Sequence, residues 1–92
     1  MIKATPEEMK ILRETWLMET AMRIMEVFCD MQVACQVNPD KVDSIGSIER
    51  LKIFTEWARE FEANYKDDPR YDDDYIGLTD EYATAKIEEV FK

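Results

Sequence analysis

Carboxylates are the chemistry this sequence offers. Its 92 residues hold 21 Asp and Glu against 12 Lys and Arg, a net charge of −9, with no histidine and two cysteines. Without histidine there is no Ser-His-Asp or Cys-His nucleophile system. A zinc site containing histidine is excluded, and two cysteines are too few for a four-cysteine site within one chain. The Glu-x-x-His motif of helical di-iron proteins is absent. Gly46 and Gly77 stand alone, so no glycine-rich loop is available to cradle a phosphate.

The densest carboxylates, Asp67, Asp68, Asp72, Asp73 and Asp74, lie in one stretch. A calcium loop needs oxygen ligands at positions 1, 3 and 5, glycine at 6 and glutamate at 12. Counted from Asp72, Asp74 and Gly77 fall on positions 3 and 6, but Ile76 and Ala83 occupy 5 and 12. The stretch reads as a solvated acidic loop. Carboxylates sharing a helix face could instead hold Mg2+, as in all-helical nucleotide pyrophosphohydrolases. Glu19, Glu26 and Asp30 share a stripe, with Arg23 in its middle. Glu56 and Glu60 are one turn apart, with Lys52 and Arg59 beside them. Interspersed cations indicate surface ion pairs rather than a metal nest. The expectation is no metal, no cofactor and no catalytic residue.

The elements that position these residues are helices. Glu, Met, Ala, Lys, Leu and Arg are abundant, and two glycines are few for a turn-rich β protein. Thr5-Pro6-Glu7-Glu8 is a capping box, and the helical pattern it opens runs to Asn38-Pro39. Helix 1 is therefore predicted over about 5–37, roughly 48 Å. Residues 38–46 read as a loop. Helix 2 is predicted over about 47–66, capped by Ser47, with Leu51, Phe54, Ala58, Phe61 and Tyr65 as its core stripe and Trp57 at the edge. The acidic loop covers 67–78. Helix 3, capped by Thr79, covers about 79–92, with Ala83, Ile87, Val90 and Phe91 on one face. The fold class predicted is all-α: a single domain built as a three-helix bundle, one long N-terminal helix packed by two shorter ones. Either those two lie in succession along helix 1 or helix 1 projects beyond them.

Helix 1 carries more apolar surface than one packing face needs. Leu17, Ala21, Ile24, Phe28, Met31 and Cys35 form one face. Met18, Met22, Met25 and Cys29 form a second beside it. Methionine is flexible and polarizable and recurs on adaptable binding surfaces. Cys29 and Cys35 are too far apart along a helix to pair, about 9 Å against the 7 Å limit. Free thiols suit a reducing, cytoplasmic setting. The longest uncharged run, Met31 to Pro39, is far short of the roughly 20 residues that span a bilayer.

Two thirds of the net charge lies in residues 67–92, nine acids against three bases. Such a chain is repelled by bare nucleic acid and by anionic membranes. The function expected is a small, non-enzymatic protein-binding module. Its docking residues would be Met18, Met22, Met25 and Cys29, together with Asp67, Asp68, Asp72, Asp73 and Asp74. The partner expected is another protein, basic where it meets the aspartates. In that form the chain is an inhibitor that occludes a nucleic-acid-binding partner, by analogy of size and charge with small acidic phage proteins that block host-defence nucleases. A Mg2+-dependent, pyrophosphohydrolase-like enzyme is the second reading. A structural protein that self-associates as a dimer through helix 1 is the third.

Overall fold

Thr5 opens the first helix as its side chain implies. In the computed structural model, which describes residues 5–92, its Oγ1 accepts from the Glu8 amide at 3.2 Å. The same hydroxyl donates to Glu8 Oε1 at 3.0 Å. Pro6 takes the first helical position, where its missing N–H costs nothing. Helix α1 then runs Pro6–Val33, 28 residues.

It stops four residues short of the expected Val37. The Gln36 amide donates to the Met31 carbonyl at 2.8 Å and the Cys35 amide to Gln32 at 3.0 Å. This is the Schellman pattern, and Cys35 holds its left-handed position with φ 57°. Glycine normally marks that position, so the sequence hid the stop. An L-residue there is strained by about 1–2 kcal/mol. We expect Cys35→Gly to stabilise the protein by about 1 kcal/mol, part of the relief being lost to glycine's freedom in the unfolded chain. A shift of the urea midpoint to higher concentration at constant slope checks it. Both cysteines are free and exposed.

The span read as a loop holds a short helix, α2 (Pro39–Ser44). Asn38 caps it, its Oδ1 accepting from the Asp40 amide at 3.0 Å. Helix α3 is Ser47–Tyr65. Ser47, the expected cap, is its first helical residue, and Gly46 sits at the cap without a side-chain bond. Arg50 secures this corner instead, its Nη1 donating to the carbonyls of Val42, at 2.8 Å, and Ile45.

The acidic stretch is also helical rather than a loop. Helix α4 (Pro69–Asp73) and the first turn of α5 (Tyr75–Phe91) occupy it. Asp68 caps α4 by accepting from the Arg70 amide at 2.8 Å, and Asp74 caps α5 by accepting from the Gly77 amide at 3.1 Å. Aspartate favours these positions because its carboxylate satisfies an orphan N–H at the positive end of the helix dipole. A Cβ at Gly77 would press on the Asp74 carboxylate, which would have to shift from its capping position. Thr79, the expected cap, lies inside α5, buried, and its hydroxyl donates to the Tyr75 carbonyl at 2.6 Å.

Helix α1 packs against both α3 and α5, while α2 and α4 pack on α5. The main core joins Ile24 and Phe28 of α1, Phe54 and Trp57 of α3, and Ile87 and Phe91 of α5; Val37 and Val42 close it. A smaller cluster joins Phe61, Tyr71 and Leu78. Trp57, read as an edge residue, is buried, whereas Leu51, read as core, is exposed. Buried residues of α1 begin only at Thr20. The helix therefore projects beyond α3 and α5, with Met9, Ile11 and Leu12 exposed. The Cα radius of gyration is 14.7 Å, where a compact chain of this length has about 12 Å.

Candidate docking surfaces

The two faces of α1 meet different fates. Thr20, Ile24, Val27, Phe28 and Met31 are buried, and Leu17 and Ala21 are half-buried beside them. Cys35, expected on this face, lies beyond the helix end. On the other face Met18 is 65% exposed and Met22 58% exposed, and Cys29 is exposed. Met25 is half-buried and packs against the main core. Three of the four expected docking residues on this helix thus stand on the surface, and the fourth links that surface to the interior.

Between the faces runs the charged stripe. Arg23 reaches across to α5, its Nε 2.8 Å from Asp80 Oδ1 and its Nη2 2.7 Å from Oδ2. Its Nη1 also lies 2.9 Å from Glu26 Oε2. The Asp80 bond, opposed by partial burial and aided by Glu26, raises the guanidinium's pKa above its already high value. This two-pronged pair sets the rotation of α1 against α5, which decides the face left outside. The carboxylates weighed for Mg2+ are spread out: Glu26 pairs with Arg23, and Glu60 accepts from the Tyr82 hydroxyl at 3.0 Å and faces Lys86 at 3.6 Å. Among the described residues no three acidic, cysteine or histidine side chains gather as ligands of one ion would.

The five aspartates divide into two kinds. Asp68 and Asp74 are caps, each accepting from a backbone amide while keeping its charge. Arg70 pairs with Glu81 at 2.9 Å and lies 3.6 Å from Asp74. The hydrogen bond from Arg70 holds the Glu81 carboxyl below the usual range. Asp67, Asp72 and Asp73 are exposed and face solvent. Asp74 caps α5 yet its side chain stays 59% exposed, so it still adds to the acidic surface at the α4 end.

The sequence reading missed Ile11, which is 62% exposed one heptad before Met18. The seven-residue spacing was the available signal. It also missed Ile48 of α3, exposed like Leu51. The surface depressions are open: one runs along α3 past Ile48, Leu51 and Thr55, and another between α1 and α3 past Leu17, Glu62 and Arg59. Among the described residues no helix is long and apolar enough to cross a membrane. Comparison with family models, with curated proteins and with solved structures finds no match.

Proposed function

We propose that this chain is a small, non-enzymatic protein-binding module that acts by covering a basic, nucleic-acid-binding partner. The three long helices, read as a three-helix bundle, are the scaffold. The observation that carries the reading is that α1, after packing on α3 and α5, still leaves Met18 and Met22 more than half exposed. Exposed apolar side chains that join into one patch, rather than standing singly, mark protein-contact sites. The exposed carboxylates Asp67, Asp72 and Asp73 add a negative end suited to a basic contact. Its partner would be met in the cytoplasm, where exposed thiols stay reduced.

Immobilised protein exposed to an extract of its own cells tests this reading. Two variants run beside the wild type: Met22→Glu, and Asp67, Asp72 and Asp73 changed together to Asn. We expect a basic protein to be retained by the wild type and lost from at least one variant. Elution at moderate salt would place the contact at the carboxylates, since salt screens exposed charges. Equal retention by all three forms would overturn the reading.

A further inference from the structure

We propose that the outer face of α1 is a coiled-coil seam for one amphipathic helix of a partner protein, flanked by basic residues. This deepens the protein-binding reading and rests on it. Ile11, Thr15, Met18, Met22, Met25 and Cys29 follow one another at alternating spacings of four and three. That is the a/d rhythm of a coiled coil, kept over about three heptads. In this register Thr20, Ile24, Val27 and Met31, all buried, fall at c and f, on the far side of the helix. One helix thus carries two apolar rhythms, one filled by α3 and α5 and one open except at Met25, which is half-buried, and along its edge at Phe28, which is buried at g. The open seam extends about 27 Å along the helix axis. Its rhythm specifies a helix as occupant, because only a helix presents knobs at matching intervals.

The charge at the edges chooses the kind of helix. The e and g positions flanking the seam between residues 7 and 33 carry Glu7, Glu14, Glu19 and Glu26 and no Lys or Arg. Residues at e and g set partner choice in coiled coils. A second copy in parallel would bring Glu14 against Glu19, and in antiparallel would oppose glutamates at e–e and g–g pairs. Like charges so placed destabilise. Arg23 does not reverse this, since it is shared by Asp80 and Glu26. A helix with Lys or Arg at its own e and g positions pairs with the glutamates in either direction. Methionine at the knob positions adapts to varied side chains opposite.

The test uses a labelled peptide of about four heptads with Ile at a, Leu at d and Lys at e and g. Two controls accompany it: the same peptide with Glu at e and g, and a scrambled Lys peptide of equal charge. Anisotropy titration should show the Lys-flanked peptide binding about tenfold or more tightly than either control. Met22→Glu should weaken it about tenfold, as loss of a central apolar contact does. Changing Asp67, Asp72 and Asp73 to Asn should leave it within about twofold, because none of the three lies on α1 or at a seam or flanking position. Circular dichroism confirms that each variant is folded, and Met22→Ser replaces Met22→Glu if that one is not. Equal binding of the scrambled peptide would overturn the seam, leaving only net charge. A wild-type dimer by sedimentation, abolished in Met22→Glu, would overturn it in favour of a second copy. If the peptide fails while cell extract still yields a partner lost only from the aspartate variant, the seam falls and the protein-binding reading stands. If both are silent, both fall.

Discussion

Replacing Phe91 with Ala should cost about 3–5 kcal/mol, a large share of the reserve of a chain this short. Phe91 lies in the last turn of α5, a place where helices ordinarily fray and tolerate change. Here it is 0% exposed. Its ring lies 5.1 Å from that of Phe28 and 6.5 Å from those of Phe54 and Trp57, so it closes the contact among all three long helices. Its carbonyl also accepts from the Asn38 amide at 2.7 Å, tying the end of α5 to the start of α2. Truncating such a ring loses its transfer free energy and leaves a cavity among rigid neighbours. Chains of this length hold only about 5–15 kcal/mol in reserve. Urea unfolding followed by tryptophan fluorescence checks the effect, because Trp57 reports the same cluster. Phe91→Leu, which keeps most of the volume, should lose less than half as much. Near-wild-type stability for Phe91→Ala would mean that α5 ends before this residue.

The second large effect is an alkaline transition. Burial pushes the Tyr71 hydroxyl up to about 12, with Glu62 and Asp72 adding repulsion. Tyr75 is raised mainly by burial, although its hydrogen bond with Thr20 acts the other way. Tyr82 is raised by burial and by its bond to Glu60. Between the ordinary value near 10 and the folded value near 12, the unfolded chain has lost the Tyr71 proton while the folded chain keeps it. The unfolded state binds fewer protons there, so stability falls as pH rises. The contribution is fully present below pH 10 and is lost through pH 12; for Tyr71 alone, with solvent screening allowed for, the loss is about 1–2 kcal/mol. We expect helical circular dichroism to collapse in that window, in step with a late rise of tyrosinate absorbance. Tyr71→Phe should keep its helix to higher pH. Ionisation of every tyrosine near pH 10 with the helix signal intact would contradict the account.

Much of the fold could be read before any coordinate was known. The Thr5 capping box and the apolar periodicities of the three long helices are local signals, and local hydrogen bonding produced what they announced; Asn38-Pro39, read as the breaker of the first helix, instead opens α2. The errors share a cause. Cys35 ends α1 in a conformation that a glycine would have advertised. The aspartates looked like a charged loop, yet Asp68 and Asp74 are spaced as caps for two successive helices. Thr79 resembled a cap because its hydroxyl was expected to meet an amide, but it bonds inward to the Tyr75 carbonyl. A short polar side chain serves caps and helix interiors alike, and its neighbours decide which.

What the sequence by itself determined is the all-helical class, the surplus of apolar surface on α1 and the acidity of the last third. Each follows from residue type and spacing within a few turns. Tertiary structure alone decided which apolar face of α1 is covered. That choice depends on the rotation of one helix against two others, set by Phe28 seated against Phe54 and Phe91 and by Arg23 reaching Asp80. Long-range contacts of this kind have no signature in local spacing, since the residues that make them are tens of positions apart in the chain.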